Sequence, residues 1–116
     1  MATSDKSFGQ LLDEMISESE YSNREFYEKL KIKKVYFYDI IKGRMKPPPA
    51  DKQIEIVKIL NPSISKRNLL FELAAKERNE FPADLNAYID KESRNSIRNS
   101  ADFNSFIELY IESSGE

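Results

Sequence analysis

Residues 22–43 read SNREFYEKLKIKKVYFYDIIKG. Ser22 with Glu25 three residues on is a capping-box pattern: the hydroxyl accepts the third helical N–H, and the carboxylate reaches back to the N–H of the cap. A helix is therefore predicted from just after Ser22 to about Lys31, with Phe26, Tyr27 and Leu30 available for burial. A second helix is predicted over about Lys33–Lys42, with apolar positions at Ile32, Val35, Phe37, Ile40 and Ile41. Gly43 stands where the chain leaves that helix, a position that favours the left-handed conformation glycine adopts without strain.

Upstream, Phe8, Leu11, Leu12, Met15 and Ile16 recur at the spacing of one helical face, so a helix is predicted over about Phe8–Ser17. Ser7 with Gln10 is its capping box, and a turn follows at Ser19–Ser22. Downstream, Arg44-Met45-Lys46 runs into Pro47-Pro48-Pro49, which cannot be helix interior and reads as an extended loop. A fourth helix is predicted over about Asp51–Leu60, with Ile54, Val57 and Ile59 or Leu60 inward and Pro62 as the stop. Ser63 or Ser65 caps a fifth, with Leu69, Leu70, Leu73 and Ala74 apolar, to about Arg78. Residues 82–89 form a short helix with Leu85, Tyr88 and Ile89, residues 90–100 are a polar linker, and Ser100 caps a last helix to about Glu112. In that last helix Phe103, Phe106, Ile107, Tyr110 and Ile111 repeat the spacing of the first. The expected fold class is all-α: a five-helix domain over residues 1–80 and a C-terminal helical extension over 81–116.

Composition narrows the chemistry. The chain has no cysteine and no histidine, which removes thiolate metal sites, disulfides, cysteine nucleophiles and histidine bases together. Carboxylates and lysines remain, and no pattern of them offers a nucleophile with its base or a metal site, so no catalytic residue, metal or cofactor is expected. No apolar run approaches about 18 residues, so no membrane span is expected, and MATSDKSFGQ lacks the basic start and apolar centre of a secretion signal. The net charge of −2 conceals a strong asymmetry. Residues 29–46 carry Lys29, Lys31, Lys33, Lys34, Lys42, Arg44 and Lys46 against Asp39 alone, whereas both flanks are net acidic. A concentrated basic patch on an acidic chain is the footprint expected of phosphate binding.

The stretch 22–43 resembles the helix-turn-helix of the lambda-repressor/Cro (Xre) family. The matching positions are Asn23 opening the first helix, Phe26 within it, Ile32 closing the turn, Phe37 and Ile40 inside the second helix, and Gly43 after it. The resemblance extends upstream through Phe8, Gly9 and Leu12, downstream through Gln53–Leu60, and covers roughly residues 7–75. Lys31 stands where the family usually has glycine, and must turn left-handed or shift the turn, at a cost of about 1 kcal/mol. Tyr27 stands where it usually has alanine, so its ring must part the two helices or turn outward. Ile16 and Ile41 occupy the places of a buried Arg–Glu pair found in lambdoid repressors. Joint replacement of both partners by packed apolar groups is the tolerated change, and it implies that these two side chains meet.

The resemblance implies a bacterial or phage transcription regulator, in practice a repressor, acting on double-stranded DNA in the cytoplasm, at the nucleoid. The helix about 33–42 would lie in the major groove with Lys34, Val35 and Asp39 at base edges and Tyr36 and Tyr38 nearby. Lysine donates to guanine, valine packs on a thymine methyl, and aspartate accepts from cytosine N4 unless it is held by a neighbouring lysine. Asn23, Lys33, Lys42, Arg44 and Lys46 would meet phosphates. Family members usually act as dimers. The stripe Phe103, Phe106, Ile107, Tyr110 and Ile111 is the candidate surface for a homodimer or another protein partner, unless it packs back on its own domain. Two alternatives remain open at this point: an antitoxin that also regulates its own gene, and a fold relative that binds protein instead of DNA, such as a phage-borne inhibitor of a host protein.

Overall fold

The computed structural model describes residues 6–80, 82–88 and 101–113, which form seven α-helices with no strand among them. In chain order they are α1 (Phe8–Ser17), α2 (Asn23–Leu30), α3 (Lys34–Ile41), α4 (Ala50–Leu60), α5 (Ile64–Arg78), α6 (Ala83–Tyr88) and α7 (Ala101–Ser113). The predicted linker 90–100, its cap Ser100 and the end of the short helix at Ile89 lie outside the described residues.

Local chemistry sets most of the helix ends. Ser7 with Gln10 and Ser22 with Glu25 both form reciprocal capping boxes. Ser63, not Ser65, caps α5 by accepting the Lys66 N–H at 3.2 Å. Helix α4 begins at Ala50, directly after the proline run, with Pro49 in the cap position. At the far ends, Asn61 and Asn79 take left-handed conformations at φ 47° and 58°. Asparagine tolerates that region better than most residues because its short side chain can bond locally.

Helix α1 buries the whole predicted stripe, Phe8, Leu11, Leu12, Met15 and Ile16. It approaches α3 so closely that a Cβ added to Gly9 would lie 2.5 Å from the carbonyl oxygens of both Ile40 and Ile41. Ile16 is buried and Ile41 half-buried in the same apolar cluster. Helix α5 lies antiparallel to α1 and fastens it at both ends. The Phe8 N–H donates to Glu77 Oε2 at 2.8 Å. At the opposite end Lys66 bonds Glu14 at 3.1 Å and also reaches Glu18, while Lys6 joins Glu14 from its own side.

Helix α4 is the hub. It packs against α2, α5, α6 and α7, which explains why Ile56 is fully buried beside the expected Ile54 and Val57, while Ile59 and Leu60 are only half-buried. On α5, Phe71 and Arg67 are buried although neither was expected to be, and Leu69, expected inward, is half-buried. Arg67 donates from Nη2 to Asn104 Oδ1 of α7 at 3.0 Å.

The C-terminal helix corrects an expectation. Phe103, Ile107 and Ile111 are buried in the same cluster as the rest of the core, with α7 against α4 and α6. These three members of the stripe complete the core of their own chain and are not exposed to a partner. Phe106 is half-buried and stacks on Tyr110 at 5.8 Å. Leu109, not part of the predicted stripe, is 69% exposed.

Two outcomes follow. Gly9→Ala replaces a hydrogen by a methyl against backbone that cannot move aside, an overpacking cost of about 1–3 kcal/mol. The gain in helix propensity is only about 1 kcal/mol. Urea denaturation should therefore show a less stable protein, although alanine is the better helix former. The second outcome concerns pH. Lys6 first, and Lys66 next, hold the Glu14 carboxyl below the usual carboxylate range. A carboxyl depressed in the folded state stabilises above the unfolded-state pKa, and that contribution is lost as pH falls through its folded value. Thermal melts should thus show Tm falling on acidification below roughly pH 4, with a shallower fall in Glu14→Gln.

Candidate nucleic-acid interface

The turn between α2 and α3 is built around Lys31, whose backbone is left-handed at φ 65° and ψ 42°. Two hydrogen bonds close it: the Lys31 N–H donates to Glu28 O at 3.1 Å, and the Ile32 N–H donates to Tyr27 O at 3.0 Å. This is a Schellman-type closure, which works on a lysine only because the helix-end hydrogen bonds offset its strain. Lys52 adds a further bond from α4, donating from Nζ to Leu30 O at 2.8 Å. Its ammonium therefore sits at the negative end of α2.

Tyr27 settles the crossing that its size put in question. Its ring is half-buried and lies against Phe37 at 5.4 Å and edge-on to Tyr38 at 6.4 Å. The ring covers the seam between α2 and α3. Asn23 stands one turn earlier on α2, half-buried at the first helical position, so Asn23, Tyr27 and Tyr38 follow one another across the two helices.

Helix α3 buries Phe37 and Ile40 and leaves Ile41 half-buried. Its opposite face then carries Val35, Tyr38, Asp39 and Lys42, which recur at three- and four-residue spacing. Val35 is 71% exposed at the centre of this face. Lys33, Lys34, Lys42, Arg44 and Lys46 are all exposed around it. Among the described residues Lys33, Lys34 and Lys42 make no ion pair. Lys33 occupies the cap position of α3 with no side-chain hydrogen bond, and no acidic residue lies in the first turn. The positive end of this helix is consequently left uncompensated by the protein.

Two candidate residues sit differently from the expectation. Tyr36 is half-buried against the apolar cluster and does not stand open on the outer face. A 100° step per residue sets it away from Val35 and nearly opposite Tyr38. Asp39 is paired with Arg44 and not with a lysine; its Oδ1 accepts from Arg44 Nε at 3.0 Å.

The loop after α3 is held by contacts that a local reading could not supply. Gly43 takes φ 80°. Its N–H donates to Ile40 O at 3.1 Å, and the Arg44 N–H donates to Asp39 O at 2.8 Å. Pro47 and Pro48 are buried. Their carbonyls accept from Arg78 Nη1 and Gln53 Nε2, each at 2.9 Å. The stiff run therefore anchors the loop that presents Arg44, Met45 and Lys46 beside the outer face of α3. Met45, 47% exposed, carries no charge or periodic spacing that would have flagged it.

No protein-family model, no curated protein and no solved structure matches this chain. No described helix is long and apolar enough to cross a membrane.

Replacing Lys31 by glycine should relieve the left-handed strain at the turn. Lys31→Gly is expected to stabilise the fold by about 0.5–1 kcal/mol net of the extra unfolded-state entropy of glycine. A rise in the urea midpoint with an unchanged slope would register it; a fall would mean that the lysine side chain has a stabilising role of its own.

Proposed function

We propose that this chain is a sequence-specific DNA-binding regulator of transcription, with a lambda-repressor-like helix-turn-helix domain that lays α3 in the major groove of double-stranded DNA. The observation that carries the reading is the outer face of α3. An exposed valine at its centre is surrounded by lysines without acidic partners, at a helix N-terminus whose positive end no side chain caps. Phosphates are the anions that such a surface fits, and the valine offers an apolar contact to a thymine methyl. Asn23 at the start of α2 and Lys46 on the anchored loop flank the groove-facing helix and would set its register on the backbone. A repressor of bacterial, phage or mobile-element origin is the form of regulator that the helix-turn-helix resemblance favours. Dimerisation through α7, if the chain dimerises as that family usually does, would use Phe106 and Tyr110 with the neighbouring Leu109, since Phe103, Ile107 and Ile111 lie in the core.

A second reading is a protein-binding relative of the same fold. The neutralisation of Arg44 by Asp39 and the exposed Leu109 favour it.

Fluorescence anisotropy with DNA from upstream of the chain's own coding sequence, and with a scrambled duplex, at two salt concentrations, separates the two. The regulator should bind its own upstream DNA more tightly and weaken steeply as salt rises. Lys46→Ala should weaken both duplexes alike and lower the salt slope by about 1. Lys34→Ala should erode the preference between them. Weak and equal binding to both duplexes would favour the protein partner.

A further inference from the structure

An acidic side chain on a DNA-facing helix needs a reason, because it repels phosphate. Asp39 stands one turn after Val35 on the outer face of α3, and the structure ties it to Arg44 twice. Its carboxylate accepts from Arg44 Nε at 3.0 Å, and its backbone carbonyl accepts the Arg44 N–H at 2.8 Å and the Met45 N–H at 3.2 Å. The left-handed Gly43 makes this possible by turning the chain back along the helix it has just left. Exposed ion pairs contribute little to stability, and this one is open, with the arginine side chain 64% and the aspartate side chain 29% exposed. The contact therefore does little to hold the fold. What it does is restrict a long side chain that otherwise samples many rotamers.

The restriction has a direction. A guanidinium has five N–H donors, and the Nε–H is the one engaged. The edge formed by Nη1 and Nη2 still offers two parallel N–H bonds, a fork that fits two acceptors side by side. We propose that Asp39 is a positioning residue that aims this outer edge of Arg44 at a pair of adjacent acceptors on DNA. Arg44, and not Asp39, then makes the contact. The inference rests on the DNA-binding reading above. The acceptors are either O6 and N7 of a guanine in the major groove or two oxygens of one phosphate.

The test is a double-substitution cycle with Asp39→Ala, Arg44→Ala and both together. Binding is measured to a duplex that the wild-type protein selects from a random-sequence library and to a random duplex of equal length. Circular dichroism melts establish that each variant is folded. Asp39→Ala should weaken the selected duplex about tenfold although it removes a negative charge. Arg44→Ala should do the same, and the double variant should be no weaker than Arg44→Ala alone. Asp39→Asn, which keeps an acceptor for Nε, should recover part of the loss. Arg44→Lys keeps the charge without the fork and identifies the acceptors. A loss confined to the selected duplex, reproduced for the wild type by 7-deazaguanine at one position, assigns guanine; an equal loss on both duplexes assigns phosphate. In the free protein, the Arg44 Nε–H resonance should shift on Asp39→Ala. Tighter binding of Asp39→Ala to both duplexes, or effects that simply add, would overturn the inference while leaving DNA binding intact. Failure of the wild-type protein to enrich any duplex would overturn both.

Discussion

The orientation of the candidate interface depends on one close approach, that of the α1 backbone at Gly9 to the last carbonyls of α3. Any side chain there would force the helices apart. With a hydrogen in its place, α1 can lie on the end of α3, and α3 can sink Phe37 and Ile40 into the cluster that holds Phe8, Leu11 and Leu12. Burying those two residues turns Val35, Tyr38, Asp39 and Lys42 outward, since a helix cannot rotate one face without rotating the others. The bonds from Phe8 to Glu77 and from Lys66 to Glu14 then hold α1 along α5. Arg78, at the end of α5, reaches the carbonyl of Pro47. A single line of contacts therefore runs from α1 through α5 to the loop beside α3.

Electrostatics divides the molecule along the same line. At the end of α1, Glu14 and Glu18 are matched to Lys6 and Lys66, where they join helices. The basic groups on and around α3 are largely unmatched within the protein, and the one acidic group among them, Asp39, is engaged with Arg44. Unmatched surface charge adds self-repulsion and does not favour the fold, so stability does not explain its accumulation around one helix. Because that field is screened beyond about 8–10 Å at physiological salt, it acts on a ligand only near contact.

Helix α4 and the C-terminal helix show how a small chain extends its core. Burying Phe103, Ile107 and Ile111 is worth about 1.5–3 kcal/mol for each side chain. That is a large share of the net stability of a domain this size. Exposing the same side chains to await a partner would forgo this contribution. What remains at the surface of α7 is the edge formed by Phe106, Leu109 and Tyr110.

The sequence by itself determined the helices, because their signals are local. Ser7 with Gln10 and Ser22 with Glu25 cap within one turn, the stripes of α1 and α7 repeat every three or four residues, and Gly43 and the prolines mark where helices cannot continue. The basic segment 29–46 was legible for the same reason, whereas the left-handed demand on Lys31 came from the resemblance of residues 22–43 to a helix-turn-helix. Tertiary structure alone decided which neighbour each face meets. Ile56, Phe71 and Arg67 are buried because α4 and α5 are covered on more than one side, which a one-sided stripe cannot reveal. Tyr36 and Tyr38 are two residues apart, yet the helix turns them to nearly opposite sides, and it is Tyr38 that meets Tyr27 of α2. Asp39 finds Arg44 only because Gly43 folds the chain back, and Phe103, Ile107 and Ile111 find α4 and α6 only once the whole chain has closed. Periodicity states that a residue has an apolar or polar face to satisfy; the partner that satisfies it comes from a distant part of the chain.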